Sequence, residues 1–226
     1  YGKFYIQETT EYMRQSLKVW AELGFSFDVV STGMILSAEQ AALVSDFCEQ
    51  SAKKGALVFV DPIMGDEGKL YNGVGEETIA HMRKMVAVAD CIVPNYTEAA
   101  YLADMPYHED MTEEEARALT IRLHEMGAKS VVVTSAKVDG ENCVVGYDGT
   151  EGEFFRIPFD LIPVRFVGTG DIFAAVMLGR LVDGVPLQES THRAMDAVRT
   201  MIDRNRDKED KYLGIPIETC LEVLDE

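Results

Sequence analysis

Three short apolar segments that each end in a polar residue constrain the fold of this chain most strongly. They are ALVFVD at 56–61, DCIVPN at 90–95 and SVVVTS at 130–135. A continuous apolar run is typical of a parallel strand, because helices cover both faces of a parallel sheet. Stretches with helical spacing of apolar residues separate the three segments. The pattern predicts an α/β fold with a mostly parallel central sheet and helices on both faces.

Further segments extend this alternation along the 226 residues, a length that suits one domain rather than two. Asp148-Gly149 is a turn signal between two β segments and predicts a hairpin. A long helix from Leu187 and a short final helix complete the chain. The other predicted elements are helices at 9–23, 37–54, 76–88, 97–103, 112–126 and after 168–171, and strands at 27–32, 141–147 and 153–158.

Composition and charge exclude several classes of partner. The chain has 39 acidic and 21 basic residues, a formal net charge of -18 that repels nucleic acid and anionic lipid surfaces. A nucleotide can still bind, because local dipoles and a metal ion outweigh a distant net charge within a Debye length of about 8 Å. No apolar run approaches the ~20 residues of a membrane-spanning helix. The four scattered cysteines predict reduced thiols and a cytoplasmic protein.

The strongest local motif is Gly168-Thr169-Gly170-Asp171, which precedes the apolar stretch IFAAVMLGRLV. Glycines allow a tight turn, and the N–H groups that open a helix point at an anion lying above them. The motif therefore predicts an anion hole for a transferred phosphoryl group, with Asp171 placed to accept the proton of an attacking hydroxyl. The alternative is that Thr169 or Asp171 is only a helix cap and the glycines only a turn.

Polar residues at the predicted strand ends form a second group of candidates. An amide and a carboxylate three residues apart, Asn95 and Glu98, can address one metal-hydrated phosphate. Glu98 alone is also explained as a first-turn acid favoured by the helix dipole. Asp61 and Asp66 flank a loop that contains a proline and a glycine, and the alternative there is a solvated turn.

Four segments in this order resemble the signature segments of pyridoxal and pyridoxamine kinases in the ribokinase superfamily. They are DPIMGDEGKLY, VPNYTEA, VVVTS and FVGTGDIFAA, and the resemblance covers nearly the whole chain. It implies a ribokinase-like three-layer α/β/α sandwich. It also implies a homodimer that uses ATP and Mg²⁺, with room for a monovalent cation such as K⁺, to phosphorylate the hydroxymethyl group of a B6 vitamer.

The resemblance also implies a role for each matching residue. Asp171 matches the catalytic base, and Gly168, Thr169 and Gly170 match the anion hole. The remaining matches are Asp61 and Glu98 at the metal, Asn95, Asp66, Thr134 and Ser135 at the ATP phosphates, and Tyr71 in the loop that covers nucleotide and substrate.

Two departures from the family pattern leave alternatives open. The chain begins at Tyr1 and is expected to lack the strand, helix and strand that open family members and build much of the vitamer pocket. A catalytically silent vitamer- or nucleotide-binding homologue is therefore one alternative. A hydroxymethylpyrimidine or other small-molecule kinase of the same superfamily is another, although hydroxymethylpyrimidine kinases usually carry GTGC where this chain has GTGD.

Other residues with reactive side chains are assigned structural positions. The four histidines lack the spacing of metal ligands and are expected on helix surfaces. Cys91 lies in an apolar strand and is expected to be an inert buried thiol. Thr112 and Glu115 match a capping box at the start of a helix.

Overall fold

The structure is a computed structural model that describes Tyr5 and residues 7–224. The described strands are β1 Val29–Thr32, β2 Leu57–Val60, β3 Gly65–Asp66, β4 Lys69–Leu70, β5 Cys91–Ile92, β6 Ser130–Val138, β7 Glu141–Asp148 and β8 Glu153–Pro158. The described helices are α1 Thr10–Glu22, α2 Ala38–Ala52, α3 Glu77–Val86, α4 Tyr96–Ala103, α5 Glu113–Glu125, α6 Thr169–Val182 and α7 Leu187–Asn205, followed by 3-10 turns at Ile217–Thr219 and Leu221–Leu224.

Six strands form the central sheet in the order β1-β2-β5-β6-β7-β8, and β3 pairs with β4 separately. The first four central strands are parallel, whereas β7 and β8 continue the sheet as antiparallel strands. This arrangement confirms the mostly parallel sheet and the hairpin that the sequence predicts. Parallel pairing brings the carboxyl ends of β2, β5 and β6 to the same edge.

Alternating side chains of the strands pack into two apolar layers on opposite faces of the sheet. Val58 and Val60 of β2 belong to a cluster that includes buried residues of α2, α3, α4 and α5. Phe59, between them, belongs to a second cluster with Phe173 and Met177 of α6. The helices therefore cover both faces, as the continuous apolar runs require.

Helix ends follow the sequence closely. The Ser37 hydroxyl accepts a hydrogen bond from the Gln40 amide and caps α2. Thr112 and Glu115 form the expected capping box at the start of α5. The predicted final helix is instead the pair of 3-10 turns. Within the described part of the chain, no helix is long and apolar enough to cross a membrane.

The expectation that the histidines lie on helix surfaces is wrong for two of them. His108 is exposed but lies in the loop between α4 and α5. His81 of α3 is buried, and its Nδ1 atom has no hydrogen-bond partner among the described residues. The amphipathic face of α3 turns this side chain toward the core, which the absence of metal-ligand spacing could not reveal. Cys91, by contrast, is buried as expected, and burial raises the pKa of its thiol.

Candidate active site

The carboxyl ends of neighbouring parallel strands bring several of the sequence candidates to one edge. The Asp61 amide donates to the Thr32 carbonyl oxygen at 3.0 Å, which continues the pairing of β2 with β1. Beyond β5, Asn95 forms a bridge with Thr134, whose amide donates to the Pro94 carbonyl oxygen at 2.9 Å. Asp61, Asn95 and Thr134 thus lie at the same edge, which is where open α/β sheets bind ligands.

A capping box closes the first turn of α4. The Asn95 side-chain oxygen accepts a hydrogen bond from the Glu98 amide, and a Glu98 carboxylate oxygen accepts one from the Asn95 amide at 2.9 Å. The other carboxylate oxygen accepts from the amides of Met64 and Gly65. Burial raises the pKa of Glu98 to about 8, against the lowering effect of these backbone donors. Glu98 therefore ties the start of α4 to the loop after β2.

Asp61 and Asp171 come from distant parts of the sequence and lie within electrostatic range of each other. Burial is the main cause that raises the pKa of Asp61 to about 7, and the negative charge of Asp171 raises it further. Asp171 is exposed in the first turn of α6. Two such acids, one of them poorly solvated, form a place where a cation is favoured.

The start of α6 has the geometry that the glycine-rich motif predicts. Gly168 is the N-cap residue with φ of 84°, a left-handed conformation that glycine adopts without strain. Among the residues that the structure describes, no side chain caps the helix there. The first N–H groups of a helix lack intrahelical acceptors, so those of Thr169, Gly170 and Asp171 are available to an anion.

The β3–β4 hairpin carries the remaining acid and the predicted lid residue. Asp66 forms an ion pair with Arg165 at 2.8 Å. Tyr71 follows β4, is 42% exposed, and donates its amide to the Met64 carbonyl oxygen. Burial, followed by the charges of Asp66 and Glu98, raises the pKa of Tyr71 to about 12. The Tyr71 hydroxyl therefore stays protonated near the acids of the site.

A bulge in β6 contains Thr134 and Ser135, the pair that the family resemblance assigns to the ATP phosphates. The register with β7 shifts between Val133 and Ala136, and Ser135 has φ of 56°. Bulges of this kind re-aim side chains at sheet edges. Ser135 is exposed and Thr134 is half-buried, so both lie at the open side of the edge.

The family resemblance implies a Mg²⁺ ion at this site. Among the described residues, no group of three or more His, Cys, Asp or Glu could hold a metal ion. Mg²⁺ commonly keeps several waters and uses one or two carboxylates together with substrate phosphates, so the arrangement fits it. Asp61 suits direct contact because its charge is poorly solvated, whereas both Glu98 oxygens already accept backbone hydrogen bonds.

Three residues at this edge were not singled out from the sequence. The Thr97 hydroxyl accepts a hydrogen bond from the Gly68 amide at 2.8 Å, and Arg165 pairs with the hairpin. The Thr32 hydroxyl is buried at the end of β1 without a partner among the described residues. Only Thr32 had a signal, since it ends a predicted strand as Asp61 does.

Comparisons with known proteins show which family the chain matches. The phosphomethylpyrimidine kinase family model matches residues 7–214. A pyridoxal kinase of Arabidopsis thaliana is 32% identical over 171 residues, which cover 72% of this chain and 53% of that protein. The chain spans about half the length of the curated relatives it matches.

Solved structures share the whole described fold. A candidate phosphomethylpyrimidine kinase of Bacteroides thetaiotaomicron, crystallised with pyridoxal, is 32% identical with a TM-score of 0.93, and the match covers 100% of this chain and 80% of that one. A pyridoxal kinase of Lactobacillus plantarum is 26% identical with a TM-score of 0.85, covering 100% and 81%. Because the family model extends over most of its length, the chain belongs to the phosphomethylpyrimidine kinase family, with a ribokinase-like fold.

Proposed function

We propose that the protein transfers the γ-phosphate of ATP to the hydroxymethyl group of a B6 vitamer, which gives the vitamer 5'-phosphate. One observation carries the proposal: the uncapped N-terminus of α6 presents Asp171 within electrostatic range of Asp61, which lies at the carboxyl edge of the sheet. The named relatives support the substrate class, since pyridoxal kinases match the chain and one structural neighbour was crystallised with pyridoxal.

The residues of the site perform a direct in-line transfer in this proposal. Asp171 accepts the proton of the vitamer hydroxyl as the hydroxyl oxygen attacks the γ-phosphorus, and the bond from that phosphorus to the β–γ bridging oxygen breaks to release ADP. The N–H groups of Thr169 and Gly170 donate to the transferred phosphoryl oxygens, and the helix dipole adds partial positive charge. Positioning and charge stabilisation suffice for phosphoryl transfer, so no covalent intermediate with the protein is needed.

The other candidates hold the nucleotide in this proposal. Mg²⁺, when bound, neutralises phosphate charge, and Asp61 would hold it. Glu98 organises that ion indirectly by fixing the start of α4. The residues that would contact the phosphates are Asp66, Asn95, Thr134 and Ser135. Tyr71 would cover the nucleotide and the substrate. The Asn95 side-chain amide donates one hydrogen to the Gly65 carbonyl oxygen at 2.7 Å, and its second N–H is the donor proposed for a phosphate.

A second candidate is phosphorylation of a hydroxymethylpyrimidine, which the description of the matching family model favours. Asp171 in place of the cysteine usual in those kinases favours the vitamer instead. The proposed assembly is a homodimer, which rests on the family resemblance alone. The proposed setting is a reducing compartment such as the cytosol, because all four cysteines are buried and free.

The experiment is a substrate panel. The purified chain is incubated with ATP and Mg²⁺ against pyridoxal, pyridoxamine, pyridoxine, hydroxymethylpyrimidine and ribose, and products are identified by mass. We expect phosphorylation of a B6 vitamer in the wild type and its near loss in Asp171→Asn. Transfer only to hydroxymethylpyrimidine would support the second candidate, and no transfer to any acceptor would contradict both.

A further inference from the structure

We propose that Arg165 is a positioning residue that joins the β3–β4 hairpin to the segment entering α6 and thereby sets the direction of the N–H groups at Gly168–Asp171. This inference deepens the proposed function and rests on it. Arg165 lies three residues before Gly168, and its guanidinium contacts two acids of the hairpin, Asp66 at 2.8 Å and Glu67. The three side chains are named here the arginine clasp.

The hairpin is the fixed side of the clasp. Met64 is wholly buried, and its amide and that of Gly65 donate to Glu98. The Gly68 amide donates to the Thr97 hydroxyl, and the Tyr101 hydroxyl donates to the Gly68 carbonyl oxygen at 3.3 Å. The first turns of α4 thus fix the hairpin by hydrogen bonds. A side chain that binds the acids of the hairpin is therefore anchored to a rigid element.

The segment entering α6 is the side that the clasp positions. Phe166 is buried in a third apolar cluster with Ile172 of α6 and Met201 of α7. Arg165, one residue earlier, is 70% exposed and reaches the hairpin, while Val167 is exposed. The chain before Gly168 is therefore fixed by Phe166 on the core side and by Arg165 on the hairpin side. Because Gly168 adds no side-chain contact of its own, the direction of the backbone depends on these two neighbours.

The charges around the clasp point to the same role. Arg165 lies at the site, because it pairs with Asp66, and the amide of the preceding residue, Gly65, donates to Glu98. The charges of Asp61, Asp66, Glu98 and Arg165 all affect the pKa of Tyr71. Arg165 is the cation in that set, and it offsets the acids that surround an incoming anionic nucleotide. Exposed ion pairs contribute little to folding stability, so the clasp is expected to act on transfer rather than on the stability of the chain.

The test is a charge-reversal series. Arg165→Glu should lower kcat for vitamer phosphorylation about 10- to 100-fold, as expected for misplaced donors, while the vitamer KM changes less than about threefold. Adding Glu67→Arg to that variant recreates the ion pair with reversed polarity and should recover most of kcat. Arg204→Glu is the matched control, since it breaks the exposed ion pair of α7 with Glu222 and should leave kcat unchanged.

A second readout does not depend on activity. The backbone amide resonances of Gly168 and Gly170 should shift in Arg165→Glu, return toward wild type in the double variant, and stay in place in Arg204→Glu. Unchanged resonances in folded Arg165→Glu, or an unrestored double variant, would overturn the proposal. If the wild type transfers no phosphate, the proposed function fails while the amide shifts still decide the role of Arg165.

Discussion

Two helices begin at the same edge of the sheet with an acid at the same position, and their first turns differ completely. Glu98 is the third residue of α4, and Asp171 is the third residue of α6. Glu98 is 3% exposed and accepts a hydrogen bond from the amide of its own N-cap residue. Asp171 is exposed, and no side chain caps α6.

The N-cap residue explains this difference. Asn95 is extended and has a side chain that accepts from the helix, which completes a capping box with Glu98. Gly168 has no side chain and a left-handed φ, so α6 leaves its N–H groups available. An acid at the third helix position is structural where the cap is complete, as in α4, and is free for chemistry where the cap is missing, as in α6.

The largest expected effect is on kcat and concerns α6, the helix whose N-terminus has no side-chain cap. Asp171→Asn should keep the fold and nucleotide binding while lowering kcat roughly 10²- to 10⁴-fold, because the general base is removed. Asp183→Asn removes an exposed acid from the other end of α6 and should leave kcat unchanged. Steady-state rates and nucleotide affinities of both variants provide the check, and an unchanged rate in Asp171→Asn would remove Asp171 from the mechanism.

The raised pKa of Asp61 should affect how folding stability depends on pH. The folded-state pKa of Asp61 is raised to about 7 from an ordinary 3.8, so its stability contribution is present below pH 4 and is lost as pH rises through 7. Asp61→Asn should therefore gain stability relative to wild type between pH 4 and pH 8, by up to about 4 kcal/mol. Denaturant unfolding without Mg²⁺ measures this difference in the free energy of unfolding. Asp46→Asn, which removes an exposed acid, is the control.

Loss of the capping box of α4 should lower the stability of the fold. Glu98→Ala leaves the buried amides of Met64, Gly65 and Asn95 without their acceptor and should lower the free energy of unfolding by about 3 kcal/mol. Glu115→Ala removes the corresponding acid of the exposed capping box of α5 and should cost much less, since water replaces the lost bond. Equal losses in thermal unfolding would contradict the distinction between a buried and an exposed cap.

The smallest effect separates backbone strain from function at the two glycines that flank α6. Gly168 and Gly184 have φ of 84° and 79°, so alanine at either position should cost about 1–2 kcal/mol of backbone strain. Only Gly168→Ala should also lower kcat, by about tenfold, because it redirects the N–H groups at the phosphoryl position. Similar kcat values in the two variants would show that the backbone at Gly168 has no special role.

The alternation of apolar runs and helices was sufficient to predict the layers and the edge that gathers Asp61, Asn95, Thr134 and Ser135. Those positions follow from strand direction, which the sequence pattern encodes. The buried capping box was visible only as a first-turn acid, because its burial depends on the hairpin that covers it. Arg165 gave no signal at all, since its partners lie 98 and 99 residues away and an ion pair has no sequence period.

The central claim is that the free N–H groups of α6 hold the transferred phosphoryl group. The most direct measurement is a backbone amide spectrum of the protein with pyridoxal, before and after addition of Mg²⁺, ADP and fluoroaluminate, which together mimic the phosphoryl group in transfer. We predict that the amide resonances of Thr169, Gly170 and Asp171 shift most strongly. A nucleotide-bound protein in which these three resonances do not move would contradict the account.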